Sequence, residues 1–280
     1  MMLAMACFIL NDTLVKLARE HWEAGQVLVL RGVFALVMLL FWLKAAGVLG
    51  KLGLIFNRVI LLRGMIETGV AMAFITALGA MTLADITAII MMAPLMITAL
   101  SMLVLGEKVG WRRWSAVIFG FIGMLLVVRP GGGAVPVAAL LLALGAAAGV
   151  AVRDLVTRKI PGEIPSIVVA TTSTLGTFLG GAALSISGTG WQPFTLPLVL
   201  LTLAAAALVI LGNYAMIEAC RDVELSVVSP FRYIIILWAV LLGMAVFGEW
   251  PTWLALAGIA MIGTSGLYTL HREHVRRQTE

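Results

Sequence analysis

Ten apolar runs, of a length to cross a lipid bilayer although the first is slightly short, follow one another along this chain with little between them. Their approximate bounds are 1–18, 24–46, 57–79, 82–105, 112–129, 134–157, 164–186, 195–217, 223–247 and 252–270. A spanning helix needs about 20 predominantly apolar residues. Ten of them therefore consume nearly all of the 280 residues and leave no room for a globular domain. Composition agrees: 62% of the residues are hydrophobic and 12% charged, with a mean hydropathy of +1.09. Soluble domains carry about 25% charged residues, so lipid must be the solvent of this chain. A soluble enzyme, a nucleic-acid-binding module and a receptor with an extramembrane sensor are excluded. The connections carry helix breakers: Gly50, Gly106, Pro130 with Gly131 to Gly133, Pro161-Gly162, Gly188 to Gly190, and Pro251. The first run lacks the small-residue cleavage site of a signal peptide and is read as a retained span. Cys7 and Cys220 both lie in or beside apolar runs, so no disulfide framework is implied.

The basic residues orient the spans. Lys44, Lys51, Arg58, Lys108, Arg112, Arg113, Arg158, Lys159, Arg221, Arg272, Arg276 and Arg277 fall in the even-to-odd loops and the carboxyl tail. The opposite side holds only Arg19 and Arg129, with Lys16 close by. By the positive-inside rule both termini are expected in the cytoplasm, which requires an even number of spans.

The chain also resembles itself. Asp12 with Lys16 in span 1 matches Asp154 with Arg158 in span 6. Gly106-Glu107 followed by Trp111 matches Gly248-Glu249 followed by Trp253, and Asp85 to Ala88 resembles Glu224 to Val227. The matches keep their order, as expected of an internal duplication. Each half, 1–131 and 132–280, holds five spans. An odd number makes the second half enter the membrane inverted relative to the first, the arrangement of many secondary transporters. The expected fold is an all-α integral membrane protein of ten transmembrane helices in two inverted five-helix repeats.

Arg31, Leu62-Arg63-Gly64, Ala77-Leu78, the run from Asp85 to Pro94-Leu95, Leu105-Gly106-Glu107, Gly120, Gly123 and Arg129-Pro130-Gly131 form a pattern in the first half. Ser229-Pro230-Phe231-Arg232-Tyr233, Gly248-Glu249-Trp250-Pro251, Gly258 and Gly263 continue it in the second. This pattern resembles the ten-span EamA-type branch of the drug/metabolite transporter superfamily. The run through Pro230 and Trp238 looks like its amino-acid and metabolite exporters of the YddG type. The resemblance implies two inverted halves around a central cavity, working by alternating access in a bacterial inner membrane.

Charges inside spans are costly, about 2.5–3.5 kcal/mol each at a helix centre on insertion scales. Here they are Asp12, Arg31, Arg63, Glu67, Arg153, Asp154 and Arg232. Asp12 and Lys16 share one helix face at i,i+4 spacing. Asp12 is either a cavity carboxylate or half of a local ion pair. Arg63 and Glu67 have the same spacing, and mutual neutralisation is expected unless Glu67 couples transport to a proton; Asp154 joins the candidate acids. Asn11, Asn213, Tyr214, Arg232, Tyr233 and Trp238 offer donors, acceptors and aromatic walls for an amphipathic cargo. The substrate-binding set is therefore Asn11, Asp12, Glu67, Asp154, Asn213, Tyr214 and Trp238. Pro94 and Pro230 are hinge candidates, since each removes a helix hydrogen-bond donor. The two Gly-Glu pairs are expected to end one helix and start the next. Gly145 with Gly149 and Gly176 with Gly180 have the spacing of close helix packing within a monomer.

No phosphate-binding glycine loop suggests an ATP motor. His21, His271 and His274 lie at span ends or in the tail, so no metal site is expected. No cofactor or nucleic-acid partner is implied, and no catalytic constellation favours a membrane enzyme. The expected function is secondary transport of small amphipathic metabolites, with aromatic or neutral amino acids the favoured cargo and a nucleotide-derived cofactor the alternative. The expected cavity is lined by spans 1, 3, 4, 6, 8 and 9.

Overall fold

The computed structural model describes residues 2–93, 95–96, 111–128, 135–157, 159–186, 188, 190–221 and 232–279. Among these residues every regular element is helical. In chain order they are α1 (Met2–Arg19), α2 (Ala24–Ala45), a 3-10 helix (Leu49–Phe56), α3 (Arg58–Leu78), α4 (Leu83–Ile90), α5 (Trp111–Val128), α6 (Val137–Thr157), α7 (Ser166–Ile186), α8 (Leu196–Arg221), α9 (Ile234–Phe247) and α10 (Trp253–Thr279). The helices follow the apolar runs closely: run 24–46 becomes Ala24–Ala45 and run 164–186 becomes Ser166–Ile186. The fourth and ninth runs are represented by α4 and α9. The hinge candidates Pro94 and Pro230, and the Gly106-Glu107 turn, lie outside the described residues.

Helices α2, α3, α6, α7 and α8 are long and apolar enough, by length and composition, to cross a membrane. Asp12, Lys16 and Arg19 make α1 more polar than these. Local chemistry sets the helix starts. Asn57 accepts a hydrogen bond from the Val59 amide (2.9 Å) to open α3, and Thr82 accepts from the Asp85 amide (3.1 Å) to open α4. Such caps satisfy donors that the first turn leaves without partners.

Each of α1–α5 packs most extensively on one of α6–α10: α1 on α8, α2 on α7, α3 on α6, α4 on α9 and α5 on α10. Secondary contacts join α3 to α7, α2 to α8, α1 to α9 and α4 to α6. In lipid, apolar side chains gain little by leaving a neighbour they already like, so close backbone approach at small residues matters more. Helices α2 and α7 meet in this way. A Cβ at Gly32 would stand 2.8 Å from Phe178 Cβ, and one at Gly25 would stand 2.7 Å from the Ser185 backbone nitrogen. Gly176 and Gly180 of the expected small-residue pair face α3 at Thr68 and Met72; Gly149 meets Val70, whereas Gly145 faces open space. A large apolar core runs through α1, α3 and α4 and includes Ile9, Leu78, Leu83, Ile86 and Ile89. Outward-facing Phe41, Met65 and Leu196 are each more than 70% exposed, as expected of a bundle surrounded by lipid.

The α5–α10 contact carries a stability prediction. A Cβ at Gly123 would lie 2.8 Å from the Gly258 carbonyl oxygen and from Met261 Cβ. Backbone cannot move aside as a side-chain tip does, so Gly123→Leu is expected to destabilise by about 1–3 kcal/mol through overpacking. Gly145→Ala, with nothing within 4 Å of the new methyl, is expected to be neutral or stabilising by up to about 1 kcal/mol. Thermal unfolding of the detergent-purified variants checks both; equal melting temperatures would contradict the contact.

Candidate functional site

The intramembrane charges converge. Arg153, on α6, donates from Nη1 to Glu67 Oε2 on α3 at 2.9 Å. Its Nη2 and Nε donate to Asp154 Oδ1 at 2.8 and 3.0 Å, and Arg232, two residues before α9, donates to Asp154 Oδ2 at 3.5 Å. A chain of alternating charge, Arg232–Asp154–Arg153–Glu67, thus ties α3, α6 and the approach to α9. Alternation is what makes charge tolerable at this depth, since each ion is neutralised by a neighbour.

This arrangement replaces the expected Arg63–Glu67 pair. Arg63 instead donates from Nη1 to Ser173 Oγ on α7 and from Nε to Thr157 Oγ1 on α6, the latter at 3.0 Å. Glu67 lies closer to Arg153 because α3 packs most extensively along α6. Arg153 did not enter the candidate set, although a charge beside Asp154 in an apolar span was its signal.

Between α2, α3, α7 and α8 lies a cavity of about 110 Å³. A single water needs roughly 10–15 Å³ by this measure, so the space admits several waters or the polar part of a small metabolite. Its charged lining is Arg31, Arg63 and Glu67; Ser173, Thr174, Thr177 and Asn213 add polar groups, and Trp42 and Tyr214 form an aromatic wall. The Trp42 and Tyr214 rings are 4.8 Å apart between centroids and tilted by 53°. Ser173, Thr174 and Thr177 spend their hydroxyl protons on carbonyls one turn back, Val169, Ala170 and Ser173. The oxygens of Thr174 and Thr177 remain acceptors, whereas Ser173 Oγ already accepts from Arg63.

Of the expected site residues, Glu67, Asn213 and Tyr214 line this cavity. Asn11 is buried behind the wall. It donates to Asp12 Oδ1 at 2.9 Å and accepts from Arg31 Nη1 at 3.4 Å, so Asn11 and Asp12 reach the cavity through Arg31. Asp154 stands behind Arg153. Trp238 is 40% exposed on α9 and does not line the cavity. The lining draws on α3 and α8 as expected, but on α2 and α7 in place of spans 1, 4, 6 and 9. The run of hydroxyl residues from Thr171 to Thr177 and the tryptophan at position 42 were the sequence signals for this wall. Among the described residues no group of three or more His, Cys, Asp and Glu side chains stands together as a metal site.

The cavity extends toward the end of the bundle where α2 and α8 finish and α3 and α7 begin. At the opposite end an ion pair joins the two halves. Lys16 forms an ion pair with Glu249 and donates to the Met81 carbonyl (2.9 Å), with its ammonium 4.7 Å from the Phe247 ring centroid. The other Glu249 oxygen accepts from the Leu83 amide at 2.9 Å. Lys16 therefore serves Glu249 rather than Asp12, and Glu249 caps α4 rather than α10. Gly248, at φ +66°, supplies the left-handed turn expected of it, and Thr252 takes the α10 cap by accepting from the Ala255 amide (3.3 Å). Beside this seam Gln26 exchanges two 2.9 Å hydrogen bonds with the Gln192 backbone, and Trp22 donates to the Pro193 carbonyl at 3.2 Å.

Comparison with known proteins finds one family, the EamA-like transporter family, matching residues 1–129 and again 137–270. A riboflavin transporter of Rhizobium johnstonii is 30% identical over 208 residues, 74% of this chain and 67% of its own. The pseudopaline exporter CntI of Pseudomonas aeruginosa is 27% identical over 270 residues, covering 93% and 90%. An S-adenosylmethionine uptake transporter of Rickettsia prowazekii is 23% identical over 276 residues, covering 97% and 91%. Among the solved structures that match, one crystal structure has a TM-score of 0.69 over 99% of this chain and 98% of its own, at 16% identity, a likeness of fold.

Proposed function

The chain belongs to the EamA-like transporter family, and from that premise we propose that it moves small amphipathic metabolites by alternating access between two inverted halves, α1–α5 and α6–α10. The observation that carries this is the cavity bounded by two helices of each half, α2 with α3 and α7 with α8, with the Lys16–Glu249 ion pair joining the halves at the other end. Exchange of the halves also maps the packing onto itself. The α1–α8 contact becomes α6–α3, α2–α8 becomes α7–α3, and α1–α9 becomes α6–α4, while α2–α7, α4–α9 and α5–α10 return to themselves. The family match in two stretches agrees with the same division.

With both termini in the cytoplasm of the inner membrane, the cavity faces the cytoplasm and the seam faces outward. One half rocking against the other opens the seam and closes the cavity mouth. The cargo we propose is an aromatic or neutral amino acid. The α7 hydroxyl oxygens and Asn213 accept from an ammonium, and Trp42 with Tyr214 receives the side chain. The second reading, a larger nucleotide-derived cofactor, draws support from the relatives that carry riboflavin or S-adenosylmethionine. The monomer holds the whole cavity.

Counterflow in proteoliposomes tests the carrier. Vesicles preloaded with unlabelled L-phenylalanine are expected to accumulate the labelled form transiently and saturably; linear, non-saturating entry would instead indicate a pore. Proton coupling is a separate matter. Glu67 and Asp154 are held in ion pairs, whereas Asp12 has no cation within 4.0 Å among the described residues. Asp12→Asn is therefore expected to retain counterflow but lose any stimulation by a pH gradient. Unaltered gradient dependence in that variant would remove Asp12 from the coupling role.

A further inference from the structure

We propose that Arg31 and Arg63 form an anion clamp, so that the cargo carries a carboxylate or a phosphate monoester held between α2 and α3. This rests on the carrier reading, in which the cavity is the cargo site. Arg31, Arg63, Arg153 and Arg232 are the guanidiniums away from the ends of the apolar runs. Arg153 and Arg232 are within 4.0 Å of carboxylates; among the described residues Arg31 and Arg63 are not. Arg31 donates to the neutral Asn11 amide oxygen at 3.4 Å, and Arg63 donates to the hydroxyls of Ser173 and Thr157. A guanidinium has five N–H donors, so each fork keeps donors to spare. Both line the cavity, and the one acid lining it with them, Glu67, is engaged by Arg153 from α6.

The wall therefore presents two guanidiniums that no carboxylate among the described residues touches, at a depth where incompletely neutralised charge is expensive. Asp12 and Glu67 act on Arg31, and Glu67 and Asp154 on Arg63, only from beyond contact distance. An anion with two or three oxygens matches guanidinium geometry in a way that a neutral or cationic group does not. Trp42 and Tyr214 stand farther along the same cavity, toward its mouth. The ligand class is thus an anionic head with a planar or apolar body; an amino-acid carboxylate and a phosphate ester share that chemistry.

The test uses the full-length protein in detergent and five probes: L-phenylalanine, 3-phenylpropionate, phenyl phosphate, phenethylamine and benzyl alcohol. Thermal stabilisation and quenching of tryptophan fluorescence give half-saturation. The expected result is that the anion-bearing probes bind at least about tenfold more tightly than the amine and the alcohol, the loss of one charge-assisted hydrogen bond being sufficient for that ratio. The carboxylate and phosphate arms distinguish the two sources. Arg63→Gln and Arg31→Gln are expected to erase the preference, and Arg63→Lys to restore part of it. The comparison among probes on the wild-type chain stands even if a variant fails to fold. Equal binding of all five, or no effect of any anion on the folded protein, overturns the clamp. Saturable counterflow that ignores the charge of the probe would sink the clamp and leave the carrier intact; absence of counterflow would sink the carrier itself.

Discussion

Replacement of Arg153 by alanine is expected to cost about 3–5 kcal/mol of stability, the range for removing one member of a buried ionic pair. Arg153 serves two carboxylates at once, Glu67 at 2.9 Å and Asp154 at 2.8 Å, and its side chain is only 18% exposed. Its removal leaves two acids facing one another with Arg232 as the remaining close cation, 3.5 Å from Asp154. The penalty comes from the charges left behind rather than from the net worth of the bonds. The double variant Arg153→Met, Glu67→Gln, which keeps Asp154 paired with Arg232 and leaves no lone acid, is therefore expected to recover most of the lost melting temperature. Thermal unfolding in detergent measures both. An alanine variant within about 1 kcal/mol of wild type would mean that water already solvates the cluster, and the alternating charge chain would lose its structural role.

The second large effect is expected at the seam. Lys16 and Glu249 are 233 positions apart in the chain and join α1 of one half to the α9–α10 turn of the other. In Lys16→Gln the seam loses its ion pair, while the Leu83 amide keeps Glu249 as acceptor. Loss of about 1.4 kcal/mol shifts the ratio of sealed to open forms tenfold, and a pair this buried contributes more than that when broken. Transport in Lys16→Gln is therefore expected to fall at least about tenfold, because the carrier no longer returns efficiently to the sealed form. The exchange Lys16→Glu with Glu249→Lys restores the pair but cannot restore the hydrogen bond to Leu83. Partial rescue is the expected outcome. A cysteine at Ala84, buried beneath the seam (6% exposed), with Cys7 and Cys220 changed to serine, reports the opening directly. Its labelling by an impermeant reagent from outside is expected to accelerate in Lys16→Gln. Unchanged labelling and unchanged transport together would show that the seam does not gate.

The two effects separate what holds the bundle from what moves it. The Arg153 cluster joins α6 to α3 and to the approach to α9 within the membrane, whereas the Lys16–Glu249 pair closes one end. A variant that lowers transport without lowering the melting temperature belongs to the second kind, and Arg153 belongs to the first.

Much of the helical architecture was legible before the structure, because membrane spans are read from local properties. The length and apolarity of residues 24–46 place α2 within a residue of its observed end, and Gly248 was recognisable as a left-handed cap from its type and position. The scarcity of charge in lipid also marked Glu67, Asp154 and Arg63 as residues requiring partners. Sequence spacing suggested that those partners were one turn away, Arg63 for Glu67 and Asp12 for Lys16. The tertiary structure decided otherwise: Arg153 for Glu67, 86 positions on, and Glu249 for Lys16. It likewise placed Trp42 and the α7 hydroxyls in the cavity and left Trp238 on the surface. The physical reason is that a side chain's polarity and a helix's length belong to the local chain, whereas the partner of a buried charge depends on which helix faces pack together. Composition and span length alone establish that this protein lives in lipid, is built of helices and must neutralise a handful of buried charges. Only the packing of α3 along α6, and of α1 beside α9, decided which charge neutralises which, and so where the cavity and its seam lie.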